Sequence, residues 1–192
     1  MDYRLAITAA PETVPAGTSL MLLHPSTGET DRVDTDFFKT DTDHLFILST
    51  RTTAREVKQK LDHYDVDASK AVILDTLSIE RGYSRRSSSN VRYVPSPEDL
   101  DGMIDAIQTF LEAHDGKLRI SIDSVTEMAY YSNEQRTVNA IERIVSLIDR
   151  HDAVGLFHVA ASVHSDAVVD EFSELFDGSI HLNDDGSVSC DF

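Results

Sequence analysis

Short, mainly apolar segments recur along the chain, each five to eight residues long and bounded by polar turns: "SLMLLH" (19–24), "HLFILST" (44–50), "KAVILDTL" (70–77), "VRYVP" (91–95), "LRISID" (118–123) and "VGLFHVA" (154–160). Unalternating runs of this length suit strands buried on both faces, as in a parallel sheet. Between them the period changes. "TAREVKQKLDHY" (53–64) sets Val57 and Leu61 four apart, and 97–114 sets Leu100, Ile104, Ile107 and Leu111 on one helical face. The segment 134–150 does the same with Val138, Ile141, Val145 and Ile148, and 165–176 with Val168, Val169, Phe172 and Phe176. Ser96, Pro97 and Asp99 read as an N-cap, a first helical residue and the end of a capping-box-like S-x-x-D. The tail "SIHLNDDGSVSCDF" reads as a hairpin turning at Asp185-Gly186. Strands alternating with helices predict one three-layer α/β domain with a mainly parallel sheet and a C-terminal hairpin. No internal repeat and no dividing linker interrupts it. "RGYSRRSSSN" (81–90) reads as a surface loop in which Arg81, Arg85 and Arg86 either clamp an anion or offset an acidic surface.

Composition narrows the setting. The 192 residues suffice for one domain with a sizeable core, and 41% are hydrophobic. No apolar run approaches the ~20 residues of a membrane-spanning helix, and the N-terminus does not read as a signal peptide. The single Cys190 excludes an internal disulfide and suits a reducing cytosol; it reads as a small residue in a terminal strand. The net charge is -17; 23 of the 34 acids are Asp, and only five of the 17 basic residues are Lys. At molar salt the Debye length is about 3 Å, so such an Asp-rich, Lys-poor surface stays soluble without self-repulsion. The expected setting is the cytoplasm of a halophilic archaeon. No basic stripe offers counterion release, so nucleic acid is not an expected partner, and neither is a membrane.

Two stretches carry candidate chemistry. "LLHPSTGETD" (22–31) follows the first strand, where a phosphate loop would read G-x-x-x-x-G-K-[ST]. Gly28 and Thr30 match, but Leu23 stands at the first glycine and Glu29 at the lysine. "LRISIDSVTEM" (118–128) ends a strand in Asp123, the position at which an aspartate holds magnesium in P-loop ATPases; alternatively Asp123 is a helix N-cap. Glu127 either faces the same cleft or is a solvated first-turn acid. None of the eight histidines, including His24, His158 and His164, forms H-x-x-x-H or H-E-x-x-H, so no metal site is expected. Ser124 lacks the G-x-S-x-G elbow of a hydrolase.

The order of these elements, above all "RISIDSVTEM" followed by a long helix and "AVGLFHVA", resembles the RecA-like ATPase core, in particular archaeal KaiC-like proteins. The likeness covers residues 16–192, leaving 1–16 as an N-terminal extension of a single domain over 1–192. It is most similar to haloarchaeal KaiC-like members without a functional phosphate loop, some of them labelled HTR-like (transducer-like) or of unknown function. The resemblance implies a RecA-like sheet and a vestigial nucleotide site at Ser26, Thr27, Gly28, Thr30 and Asp123. Hydrolysing relatives carry a loop lysine and a glutamate pair after the second strand; here stand Glu29 and "STRTT" (49–53). A carboxylate about 4 Å from a phosphate costs of order 4 kcal/mol at an effective dielectric near 20. The expectation is therefore a non-catalytic domain with no catalytic residues and no cofactor, serving a protein partner or self-association in regulation or signalling. The alternative is an atypical ATP/Mg-binding protein or weak ATPase.

Overall fold

The computed structural model describes residues 1–26, 29–85 and 88–192. Two short strands, β1 (Asp2–Arg4) and β2 (Thr13–Pro15), form a small antiparallel sheet of their own. Then follow β3 (Ser19–His24), α1 (Asp31–Lys39), β4 (His44–Ser49), α2 (Ala54–His63), β5 (Ala71–Asp75), β6 (Val91–Tyr93) and α3 (Leu100–Ala113). The second half adds β7 (Leu118–Asp123), α4 (Val125–Tyr131), α5 (Glu134–Arg150), β8 (Val154–Ala160), α6 (Asp166–Ser173), β9 (Gly178–Leu182) and β10 (Val188–Asp191). The main sheet has the order β10-β9-β3-β8-β7-β4-β5-β6. All its pairs are parallel except the β9–β10 hairpin. This is the three-layer α/β fold with a C-terminal hairpin expected from the apolar runs.

Two cores sandwich the sheet. One packs α3, α4, α5 and α6 against Phe46, Ile120 and Phe157. The other packs α1, α2 and the β1–β2 hairpin against Leu20, Leu22, Ile47 and Leu156. β8 is buried along its whole length, as its unalternating sequence requires. Gly155 lets α5 approach β8: a Cβ there would stand 2.6 Å from Ile148 Cδ1. The N-terminal hairpin closes the bottom of the second core. The Tyr3 hydroxyl donates to the Asp152 carbonyl oxygen (2.9 Å) and accepts from the Leu118 N–H (2.9 Å). Arg119, fully buried beside the Tyr3 and Phe37 rings, donates to the Arg4 carbonyl oxygen at 2.6 Å. Burial lowers its pKa to about 10, with Asp41 and Tyr3 opposing.

Local expectations need three amendments. The N-cap of α3 is Asp99, whose side chain accepts from Gly102 N–H, and not Ser96. Ser96 instead closes a turn over 96–99, its carbonyl oxygen accepting from Asp99 N–H (3.0 Å) and its hydroxyl from Glu98 N–H (3.1 Å), so its side chain is engaged before α3 begins. The N-cap of α4 is Ser124 and not Asp123. Helix α1 and the β1–β2 hairpin, where no element is read from the sequence, are both present. The described part of 81–90 is free of helix and strand and mostly exposed; Arg86 and Ser87 lie outside the described residues. Among the described residues no helix is long and apolar enough to cross a membrane.

Candidate functional site

The strand order reverses between β4 and β7: β4 leads outward to β5, and β7 leads inward to β8. At such a switch point an open α/β sheet opens a crevice beyond its strand ends. Here the crevice holds a cavity of ≈ 230 Å³ bounded by Asp34, Ser49, Arg51, Glu56, Lys60, Ser121, Asp123 and His158. The two strand tips are stitched together. Thr50 N–H and hydroxyl both donate to the Asp123 carbonyl oxygen, at 2.8 and 3.0 Å, and Ser124 N–H donates to Thr50 Oγ1 at 2.8 Å. Asp123 is thereby fixed at the rim of the crevice.

Its carboxylate is already engaged. Arg51 Nε and a terminal guanidinium nitrogen donate to Asp123 Oδ1 at 2.8 and 2.7 Å. The cation beside this aspartate is thus a side chain of the chain itself, reaching across from the end of β4. Glu127 is held by Ser124 in a reciprocal cap of α4, its carboxylate accepting from the Ser124 hydroxyl. It is therefore a first-turn helical acid and not a partner of Asp123.

The described residues on either side of Thr27 and Gly28 are also engaged within the chain. Leu23, at the first-glycine position, is a strand residue paired with both Val159 and His181. β3 runs on to His24, so the connection to α1 starts only at Pro25. The Ser26 hydroxyl meets that of Ser162 at 2.6 Å. Thr30, at the position whose hydroxyl would meet magnesium, donates to Asp34 Oδ2 at 2.9 Å. Thr27 and Gly28 lie outside the described residues. A helix N-terminus attracts anions, but that of α1 already carries Asp31 and Asp34 in its first turn and follows Glu29.

Beneath the loop lies a charge network that the sequence did not reveal. Asp34 is buried, with His158 Nε2 2.8 Å from Oδ1 and Lys60 Nζ 3.3 Å from Oδ2. The histidine contact is an ion pair off the line of a good hydrogen bond. Lys60 also pairs with Asp31 at 2.5 Å, and Asp31 accepts from the Tyr64 hydroxyl at 2.7 Å. On its other side His158 Nδ1 lies 3.9 Å from Asp123 Oδ1, and the His24 ring stands edge-on at 5.6 Å. Charges therefore alternate from Asp31 through Lys60, Asp34, His158 and Asp123 to Arg51. Burial disfavours the charged imidazole, but Asp34 and Asp123 outweigh it and raise the His158 pKa. Burial also opposes ionisation of Asp34, yet His158, Lys60 and Thr30 hold its carboxyl well below the usual range. For His24 the balance is reversed: burial lowers its pKa and outweighs the opposing Pro25 carbonyl and Asp123. One signal was available: a histidine in the middle of an apolar strand has to find a buried partner.

The family model for DUF7090, a family of unknown function, matches residues 1–192. The chain belongs to this family. No curated protein matches the sequence. Among solved structures, a Pyrococcus horikoshii OT3 protein from a structural study aligns with a TM-score of 0.63 at 10% identity, over 92% of this chain and 87% of its own. A KaiC-like protein from the same hyperthermophilic archaeon aligns at 0.62 and 14% identity, over 94% and 81%. A type III secretion system ATPase from pathogenic bacteria aligns at 0.62 and 12% identity, over 96% of this chain but only 58% of the ATPase. At these identities the likeness establishes a RecA/KaiC-like fold.

Proposed function

We propose that this chain is a non-catalytic RecA/KaiC-like domain with a degenerate phosphate loop, acting through a protein partner or self-association in regulation or signalling. The observation that carries the reading is the Arg51–Asp123 pair: the carboxylate that would organise a magnesium ion is neutralised from within the chain. Glu29 at the lysine position and Thr30 bound to Asp34 support the same conclusion. Glu29 sets a negative charge where a functional loop offers a cation, and the nearby Lys60 and His158 are already engaged by Asp31 and Asp34. The acidic, Lys-poor composition supports a cytoplasm rich in salt as the working environment.

Isothermal titration with ATP and magnesium in molar KCl tests this. Wild type shows no binding up to millimolar ATP and no hydrolysis. Glu29→Lys, which restores G-K-T at 28–30, gains weak affinity at most and no turnover, because Leu23 remains locked in β3. Micromolar ATP binding by the wild type would refute the degenerate-site reading in favour of an atypical nucleotide-binding protein.

A further inference from the structure

Basic residues are not scattered evenly over this acidic chain. Residues 51–92 carry nine Lys or Arg against six acids, a net +3, so the rest of the chain carries -20. The structure gathers part of this segment around a groove of ≈ 940 Å³ between α2 and the connection from β5 to β6, which adjoins the Asp123 crevice at Glu56. α2 contributes Arg55, Lys58 and Gln59 to one wall. Their i, i+3, i+4 spacing places them on one helical face. Across the groove stand Tyr83, which is 50% exposed, and the hydroxyls of Ser84 and Ser88.

Among the described residues, neither carboxylate in the lining forms an ion pair with these cations. Asp75 accepts from Ala54 N–H, Leu77 N–H, Ser78 N–H and the Ser78 hydroxyl, at 2.7 to 2.9 Å. Glu56 accepts from the Thr53 N–H and hydroxyl, both at 2.8 Å. The formal charges balance; Asp75 is buried beneath its four donors, whereas Glu56 is exposed and held back against the start of α2 by Thr53. Among the described residues Arg55 makes no ion pair. Lys58 Nζ donates to two neutral oxygens, Ser88 Oγ at 3.3 Å and Asn90 Oδ1 at 3.2 Å. In a chain with 34 acids and 17 bases, unpaired cations do not arise from a shortage of carboxylates.

We propose that this groove binds a phosphate monoester whose organic part is flat and apolar. The Arg55 fork and the Lys58 ammonium, about 5–6 Å apart at their Cβ atoms, suit a dianion with three equivalent oxygens better than a single carboxylate. The volume far exceeds a phosphate group and falls in the range of small-molecule sites, roughly 300–1,000 Å³. Tyr83 offers the organic part an aromatic face. Phenyl phosphate and inorganic phosphate, titrated separately into the full-length chain by NMR at the lowest KCl that keeps it folded, test the proposal. Phenyl phosphate binds with about millimolar affinity or better and about tenfold more tightly than inorganic phosphate. Arg55→Gln, at an exposed site, and Lys58→Met each weaken it about tenfold. Tyr83→Ala removes the preference over inorganic phosphate. Absence of shifts at about 10 mM phenyl phosphate, equal binding of the two probes, or unchanged binding in a folded Arg55→Gln would overturn the proposal. None of these variants touches Arg51, Asp123 or Glu29, so the outcome is independent of the ATP titration.

Discussion

Replacing Asp34 with Asn keeps the shape of a fully buried side chain and removes only its charge. In the folded chain that charge faces His158 at 2.8 Å and Lys60 at 3.3 Å. At an effective dielectric near 20 the two attractions are worth about 6 and 5 kcal/mol. Most of this is offset by the desolvation of the ions, so the measurable quantity is the cost of leaving cations behind. Removing one partner of a buried pair costs about 3–5 kcal/mol. Here both survivors have an exit: Lys60 keeps Asp31, and His158 can give up its proton. The loss in Asp34→Asn therefore falls near the lower limit, about 3 kcal/mol. With a urea m-value of about 2 kcal/mol/M, the midpoint falls by about 1.5 M. Urea melts in molar KCl measure the loss, and NMR titration of His158 reports its mechanism. In wild type the imidazole titrates above its ordinary value of 6.5; in Asp34→Asn, burial dominates and it titrates lower than in wild type. A His158 pKa that does not move, or a loss below about 1 kcal/mol, refutes the charge network as described.

Further outcomes follow from the same geometry. Because the folded His158 pKa lies above the unfolded value of 6.5, its stabilisation is complete below 6.5 and is lost as pH rises through the folded pKa; His158→Gln flattens that alkaline decline in a melting-temperature series. Asp34 has the opposite sign, its contribution being present above the unfolded value of 3.8 and lost as pH falls towards the folded one, so acid melts of Asp34→Asn are shallower than those of wild type. Raising KCl from about 0.1 M to above 1 M shortens the Debye length from roughly 10 to 3 Å and raises the thermal midpoint; a midpoint that stays or falls counts against a halophilic origin. Gly155→Ala forces a Cβ to 2.6 Å from Ile148 and 2.7 Å from Phe157, and chemical denaturation records a loss of about 1–3 kcal/mol.

The sheet was legible because buried parallel strands carry their signal in a few contiguous residues. "VGLFHVA" needs no partner in sequence to announce burial on both faces. Helix α1 was not, because "DRVDTDFFK" has just three apolar residues, Val33, Phe37 and Phe38, over too few turns for the period to stand out beside a loop motif. Asp123 and Arg51 could be placed at neighbouring strand ends, but their pairing depends on side-chain reach. Asp34 and His158 lie 124 positions apart, and no local pattern links an acid on a short helix to a histidine within an apolar strand. Glu127 was ambiguous because a cap and a cleft residue share the same spacing.

The N-terminal hairpin sets an order of events on the ribosome. Tyr3 completes its hydrogen bonds only with Asp152 and Leu118, residues 149 and 115 positions later. At about 5–20 residues per second of synthesis, the first strands wait roughly 7–30 s for Asp152. The side chains that close the lower core are thus among the earliest made, yet complete their contacts only after Asp152 has been added. A nascent chain arrested before Leu118 keeps its first strands without a docking site, and a pulse-proteolysis series on stalled chains would show their protection appear only once β7 has emerged.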